Sequence, residues 1–222
     1  MTKSIVLLSG GMDSLVCAGL ACRDEKDVSF VHMNYGQKTS VRERKSFDAI
    51  ADHYKIPAEK RKVIDMTFLK QIGGSSLTDD AITVKDYKGD SDIIPDSYVP
   101  FRNSIILSLA VSWAERISAQ KLYIGANYED SPGYPDCRPS YYDAFNKVIK
   151  EGTKSADITI LTPVISMKKK EIVMKGQELQ VPWHLSWSCY QSSDRSCGVC
   201  DSCALRLRGF KEAGIVDPIE YK

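Results

Sequence analysis

The chain's 222 residues suit one domain of ordinary size with, at most, a small appended module. With 43% hydrophobic and 27% charged residues it is neither disordered nor collagen-like. Thirty Lys+Arg against 29 Asp+Glu leave a net charge of +1, which argues against a protein built mainly to grip nucleic-acid phosphates.

The first predicted element is a strand over Ile5–Leu8. One lysine precedes it and Ser9-Gly10-Gly11 follows, without the long apolar region and cleavage site of a secretory leader, so the protein reads as cytoplasmic. Further strand-like runs lie at Val28–Met33, Val63–Met66, Leu122–Ala126 and Ile158–Leu161. Helical stripes separate them: Phe47, Ile50, Ala51 and Tyr54; Ile105, Ile106, Leu109, Ala110, Trp113 and Ile117; Tyr141, Ala144, Phe145, Val148 and Ile149. Strands alternating with helices predict an α/β fold, a five-stranded parallel sheet with helices on both faces. The stretch Ile105–Ala114 is too short, and too broken by serines, to span a membrane. Gly73–Pro100 is rich in Gly, Ser and Asp and is long for a plain connection, so it is expected to be a lid or a mobile surface loop. The tail from Trp183 carries most of the cysteines, which divides the chain into residues 1–182 and a segment 183–222 packed on them.

Between the first strand and the first helix stands Ser9-Gly10-Gly11-Met12-Asp13-Ser14. Open α/β sheets bind ligands at the carboxyl ends of their strands. The glycines let backbone approach a ligand closely, and free amides at the helix start with two hydroxyls offer donors to an anion. Asp13 makes sense there as a ligand of a divalent cation shared with that anion. Taken alone, the same residues also read as a helix N-cap. The loop is neither a Walker A nor a GxGxxG sequence.

Four of the seven cysteines, Cys189, Cys197, Cys200 and Cys203, crowd into 15 positions. In a cytoplasmic chain that cluster points to a closed, structural zinc site, with an iron–sulfur cluster as the alternative. Cys17 and Cys22 fall in an apolar helical stretch and read as packing. Arg102 opens a predicted helix and Lys169 another, each against the positive end of a helix dipole, a placement that makes sense beside a bound anion. A solvated basic face is the plainer reading of Lys168–Lys170.

The loop Ser9–Ser14 resembles the PP-loop of the ATP pyrophosphatases, which split ATP between its α- and β-phosphates. With Tyr35-Gly36-Gln37, Val99-Pro100-x-Arg102-Asn103, Gly133–Pro139, Lys169-x-Glu171-Ile172, Trp187-Ser188-Cys189 and Gly209-Phe210-x-Glu212-Ala213-Gly214-Ile215, the chain is similar from Ser4 to Pro218 to the 7-cyano-7-deazaguanine synthases of queuosine precursor biosynthesis. It departs from their pattern at Phe101, where many carry glycine, and near Thr39, where they carry histidine. The resemblance implies a Rossmann-like (adenine nucleotide alpha hydrolase-like) fold and an ATP-dependent conversion of 7-carboxy-7-deazaguanine and ammonia to 7-cyano-7-deazaguanine, releasing AMP and diphosphate. It implies catalytic roles for Asp13, Arg102 and Lys169. Nucleotide contacts are implied at Leu8, Ser9, Gly10, Gly11, Met12, Asp13, Ser14, Leu15, Tyr35 and Gln37, and substrate contacts at Tyr134, Asp136 and Arg138. The implied cofactors are one structural Zn²⁺ on the four cysteines and Mg²⁺ with ATP. A homodimer is implied as well, with the apolar stretch Val181–Leu185 as a candidate partner surface. No cysteine–histidine pair suggests a glutaminase, so free ammonia is the expected nitrogen source. Two rivals follow from the same residues: a PP-loop enzyme that thiolates or amidates tRNA, disfavoured by the flat charge balance, and a zinc-knuckle adaptor without activity, disfavoured by the nucleotide loop and α/β pattern that precede the cysteines.

Overall fold

The computed structural model describes residues 2–89, 93–128, 134–155 and 157–222; Asp90 and Asp92 of the long connection and Gly133 of the third motif lie outside them. Strands β1 (Lys3–Leu7), β2 (Asp27–Asn34), β3 (Arg61–Asp65), β4 (Lys121–Ile124) and β5 (Thr159–Leu161) form one parallel sheet in the order β3-β2-β1-β4-β5. Helices α1 (Met12–Asp24), α2 (Ser40–His53), α3 (Arg102–Ile117), α4 (Pro139–Gly152), α5 (Lys169–Glu178) and α6 (Asp201–Ala213) cover it.

Side chains alternate along β1. Ile5 and Leu7 join Leu107, Leu122 and Ile160 on one face, while Val6 and Leu8 join Leu15, Phe30 and Phe47 on the other. Both faces are buried, so the strand reads as a continuous apolar run rather than an alternating one. Strand β4 ends earlier than its apolar run because Gly125 leaves the sheet to pass under the start of α1. A Cβ there would stand 2.5 Å from the Ser14 amide nitrogen.

Gly73–Pro100 holds no named strand or α-helix among its described residues, yet it is packed. Ser75, Ser76, Leu77, Ser97 and Val99 are buried, and the Ser76 N–H donates to the Asp96 carbonyl at 2.8 Å. The segment is pinned to the cysteine-bearing tail through Tyr87 N–H to the Val199 carbonyl at 2.8 Å.

The tail extends the same core. Trp187, Cys189, Cys200 and Cys203 are buried in the cluster on the α3–α4 face, and Trp183 and Phe210 in the cluster around α1. The expectation of a partner surface at Val181–Leu185 fails here: Val181 and Trp183 are each 6% exposed, and Trp183 meets Phe210 edge-on at 5.3 Å. Their apolar area is already covered within the chain.

Arg206, fully buried on α6, forms a bidentate pair with Asp217 (2.7 and 2.8 Å) and donates to Ser186 Oγ at 2.8 Å; Tyr221 donates to Asp217 at 2.6 Å. Removing one partner strands the other charge in the core. Asp217→Ala is therefore expected to cost about 3–5 kcal/mol, read as a lowered urea midpoint. A loss below about 1 kcal/mol, as for an exposed pair, would show that water reaches the guanidinium.

Phe101 precedes α3 at φ 55°, ψ 20°, the left-handed region, with its ring 65% exposed. That backbone suits glycine, the residue expected there from the family pattern. Phe101→Gly relieves about 1–2 kcal/mol of strain and returns part of it through the entropy of the unfolded chain. The expected net gain is about 0.5–1 kcal/mol in a urea titration; a loss would mean that the ring packs in solution.

Candidate active site

In this order the connections from β1 and β4 run to opposite faces of the sheet, and a crevice opens between their carboxyl ends. A cleft of about 350 Å³ lies there, lined by the loop after β1, the residues after β4, the start of α3, part of the long connection and the tail.

The loop after β1 braces itself. Ser14 Oγ donates to the Gly11 carbonyl at 3.0 Å and lies 3.0 Å from Ser9 Oγ, which accepts from the Gly11 N–H at 3.2 Å. Gly10 takes φ 94°, and a Cβ on it would stand 2.9 Å from both the Glu43 carbonyl oxygen and Ser46 Cβ of α2. Its carbonyl accepts from Trp187 N–H at 2.8 Å, which fastens the tail to the loop. Arg42 stacks 4.4 Å over the Trp187 ring.

Lys169 reaches this loop. Its ammonium donates to both Asp13 carboxylate oxygens, at 2.7 and 2.8 Å, and its side chain is 7% exposed. Lys168 and Lys170 are solvated, so the plain reading of a basic face holds for those two alone. The approach to α5 is fixed by Asn127, whose side chain donates to the Val164 and Met167 carbonyls at 2.8 and 2.6 Å, and by Glu171, which accepts from Lys168 N–H at 2.7 Å.

Arg102 lies over the Tyr35 ring at 4.9 Å and donates to the Tyr35 hydroxyl at 3.0 Å. No carboxylate forms an ion pair with it among the described residues, and its Nε is buried without a partner. An unpaired guanidinium in a cleft is suited to an anionic ligand. Burial pushes the Tyr35 hydroxyl up to about 12, so it stays protonated.

Of the residues singled out by sequence, Leu8, Ser9, Gly11, Met12, Asp13, Ser14, Tyr35, Arg102, Tyr134 and Lys169 line the cleft together. Gly10 and Leu15 stand behind it, Gly10 against α2 and Leu15 in the core. Gln37 is a buried brace, accepting from Tyr35 N–H at 3.0 Å and donating to Glu43 at 2.8 Å. Asp136 is buried outside the cleft lining and accepts from the Asn103 N–H at 3.3 Å at the start of α3. Burial raises its carboxyl above the ordinary range, with Arg102 and that N–H opposing the rise. Arg138 is exposed and lies outside the cleft.

Gly125, Asn127, Trp187, Tyr190 and Asp201 also line the cleft. The sequence reading assigned none of them a role at the site. Gly125 was the most accessible of them, because a glycine directly after a strand signals a close backbone approach.

The sulfurs of Cys189, Cys197, Cys200 and Cys203 lie within 4.8 Å of one another, with Cys197 and Cys203 at 3.9 Å. Tetrahedral zinc with about 2.3 Å bonds needs sulfurs about 3.8 Å apart, so the set fits. Amides of Ser192 and Cys197 point at Cys189 Sγ (3.3 and 3.4 Å), and that of Cys200 at Cys197 Sγ (3.3 Å). Donation from the Cys200 and Cys203 thiols pulls Cys189 far down, while the same contact pushes Cys200 up to about 12. A cation on the four sulfurs would replace these thiol contacts, since metal binding takes the ligands as thiolates and releases their protons.

A Rossmann-like sheet with a Ser-Gly-Gly-x-Asp-Ser loop at its switch point defines a PP-loop nucleotide enzyme. The family model described as "Queuosine biosynthesis protein QueC" matches residues 3–214, and the chain belongs to that family. It is 55% identical over 225 residues to the 7-cyano-7-deazaguanine synthase of Chlorobaculum parvum, covering 99% of this chain and 96% of the relative. With the synthase of that name from Chloroherpeton thalassium it shares 57% over 221 residues, covering 99% and 97%. Among solved structures, the U34-tRNA thiolase NcsA from Methanococcus maripaludis, described with its 4Fe-4S cluster, superposes with a TM-score of 0.51. At 16% identity, covering 100% of this chain and 74% of that one, this likeness speaks for the fold alone. Among the described residues no helix is long and apolar enough to cross a membrane.

Proposed function

We propose that the chain converts 7-carboxy-7-deazaguanine and ammonia to 7-cyano-7-deazaguanine, consuming two ATP. The observation that carries this reading is the Lys169–Asp13 pair seated on the loop after β1, in one cleft with the unpaired Arg102. A carboxylate oxygen of the substrate attacks the α-phosphorus and diphosphate leaves, held by amides of residues 9–14. Ammonia adds to the acyl carbon, and AMP leaves with loss of a proton. The amide oxygen then attacks the α-phosphorus of a second ATP and displaces a second diphosphate. Loss of AMP and a proton from the adenylated amide forms the nitrile. Arg102 and Lys169 stabilise charge that builds on the phosphates. Asp13 offers a hard oxygen ligand for Mg²⁺, which when bound neutralises phosphate charge.

Cys137, the cysteine on the cleft, has its thiol pushed up to about 12 by burial, which suits a site supplied with free ammonia rather than one with a thiolate nucleophile. The four-cysteine set is read as a structural Zn²⁺ site that makes residues 183–222 a fixed wall of the cleft. Under this reading Tyr134 faces the substrate, and Asp136 holds the start of α3 that carries Arg102.

Mass spectrometry of a reaction with the acid, ATP, Mg²⁺ and ammonium tests the proposal. The nitrile with AMP and diphosphate is expected. AMP with only the amide would end the chemistry one step early, and folded, metal-loaded protein that forms no AMP would overturn the reading.

A further inference from the structure

We propose that Asp201 recognises the base, accepting the N1–H and 2-amino hydrogens of the deazaguanine ring; this rests on the substrate named above. Three described carboxylates line the cleft: Asp13, Glu43 and Asp201. Asp13 gives both oxygens to Lys169. Glu43 accepts from Gln37 at 2.8 Å and Thr39 at 2.7 Å. Asp201 accepts no hydrogen bond and forms no ion pair with any described residue. It opens α6 between Cys200 and Cys203, and with Ser202 and Leu205 it turns one face of that helix to the cleft.

A carboxylate in a site for two anionic ligands is repulsive unless the bound molecule presents donors to it. ATP phosphates and the substrate's own carboxylate present none. The guanidine-like edge of a deazaguanine presents two, in the parallel arrangement that a carboxylate accepts. Tyr134 lies within electrostatic reach of both Arg102 and Asp201. These two opposite charges on one cleft would orient the ring, with its carboxylate toward Arg102 and its amino edge toward Asp201. Tyr134 and Tyr190 supply aromatic surface for the ring between them. The metal-bearing turn then serves recognition as well as stability.

The test compares wild type with Asp201→Asn and Asp201→Ala, each checked for one metal per chain and an unchanged Tm. Substrates are the acid and its analogue without the 2-amino group. The expected result is a KM for the acid raised about 30- to 100-fold, the ATP KM within about twofold, and the wild type's preference for the amino-bearing acid abolished. Variants that keep the acid KM and the preference would overturn the assignment. So would an altered Mg²⁺ requirement with discrimination intact, which would make Asp201 a metal ligand. A wild type that neither binds the acid in calorimetry nor forms nitrile would remove the functional reading itself, a result distinct from a wild type that binds while the variants match it.

Discussion

Lys169→Ala is expected to leave a folded, metal-loaded protein whose kcat falls by about 10²–10³. The ammonium begins α5, where the helix dipole opposes a cation, and it is nearly buried. A cation kept there against both penalties is held by Asp13 and by the shape of the site: Asn127 fixes the preceding turn, and Gly209 lets α6 pack close against Lys169, since a Cβ on that glycine would stand 2.6 Å from Lys169 Cβ. In the proposed reaction the pair works as a unit. Lys169 meets charge on the α-phosphate as the diphosphate bond lengthens, and it keeps the Asp13 carboxylate from repelling that phosphate. Alanine removes the cation and leaves the anion, so both effects act against the transition state. Ground-state binding of the acid, which the reading assigns to Asp201 and the tyrosines, should hardly change. Single-turnover diphosphate release measures the effect apart from product release, and the acid KM provides the control. A kcat within about tenfold of wild type, with a lowered Tm, would make the pair a structural brace. Asp13→Asn separates the partners, since it keeps the cation and should instead raise the Mg²⁺ concentration needed for half-maximal rate.

The sheet and the loop were legible because their signals are local. An apolar run before Ser-Gly-Gly-x-Asp-Ser identifies strand, turn and helix within 15 residues, and the spacing of the four cysteines implies its own geometry. Strand ends were less legible: β3 reads as Val63–Met66 but spans Arg61–Asp65, because its pairing with Phe30–Asn34 on β2 sets its limits rather than its hydropathy. Side-chain destinations were legible only where backbone chemistry forces them. By charge and spacing Lys169 looked no different from Lys168 and Lys170; only the resemblance picked it out, and the fold buries it while exposing the other two. Asp136 and Arg138 flank Cys137 in one motif, yet Asp136 turns in to serve Asn103 while Arg138 faces solvent. Asp201 was hidden by its neighbours, since a residue between two metal ligands reads as spacing. The long connection was expected to be a lid or a mobile loop from its composition; what composition could not show is that Tyr87 and Val84 tie it to the tail through partners more than 100 residues away.

Stripping the metal is expected to abolish turnover as well as lower stability. Binding of a structural zinc contributes about 10–16 kcal/mol of apparent free energy, comparable with the whole stability of a domain at about 5–15 kcal/mol. Apart from the burial of Cys189, Cys200 and Cys203, residues 189–203 are anchored mainly by backbone and side-chain bonds at their edges: Tyr87 with Val199, Asp86 with Cys200, Gln191 with the Val84 carbonyl and Asp86, and Ser196 with Tyr221. Without a cation the four sulfurs lose their reason to converge. The turn that places Trp187, Tyr190 and Asp201 on the cleft then loosens, and with it the Trp187–Gly10 bond that holds the nucleotide loop. Chelation should therefore expose four reactive thiols, quench the nucleotide-induced rise in Tm and stop AMP formation, all restored together by added Zn²⁺. The sheet should keep its far-ultraviolet signal, since β1 to β5 make no ladder with the tail. Cys197→Ser, at the partly exposed ligand, should reproduce the loss without a chelator. Apo protein with wild-type turnover would reduce the cluster to an ornament of the tail. Release of iron with loss of a visible absorbance would instead identify a cluster where zinc is proposed, and would leave the coupling of metal, wall and loop intact.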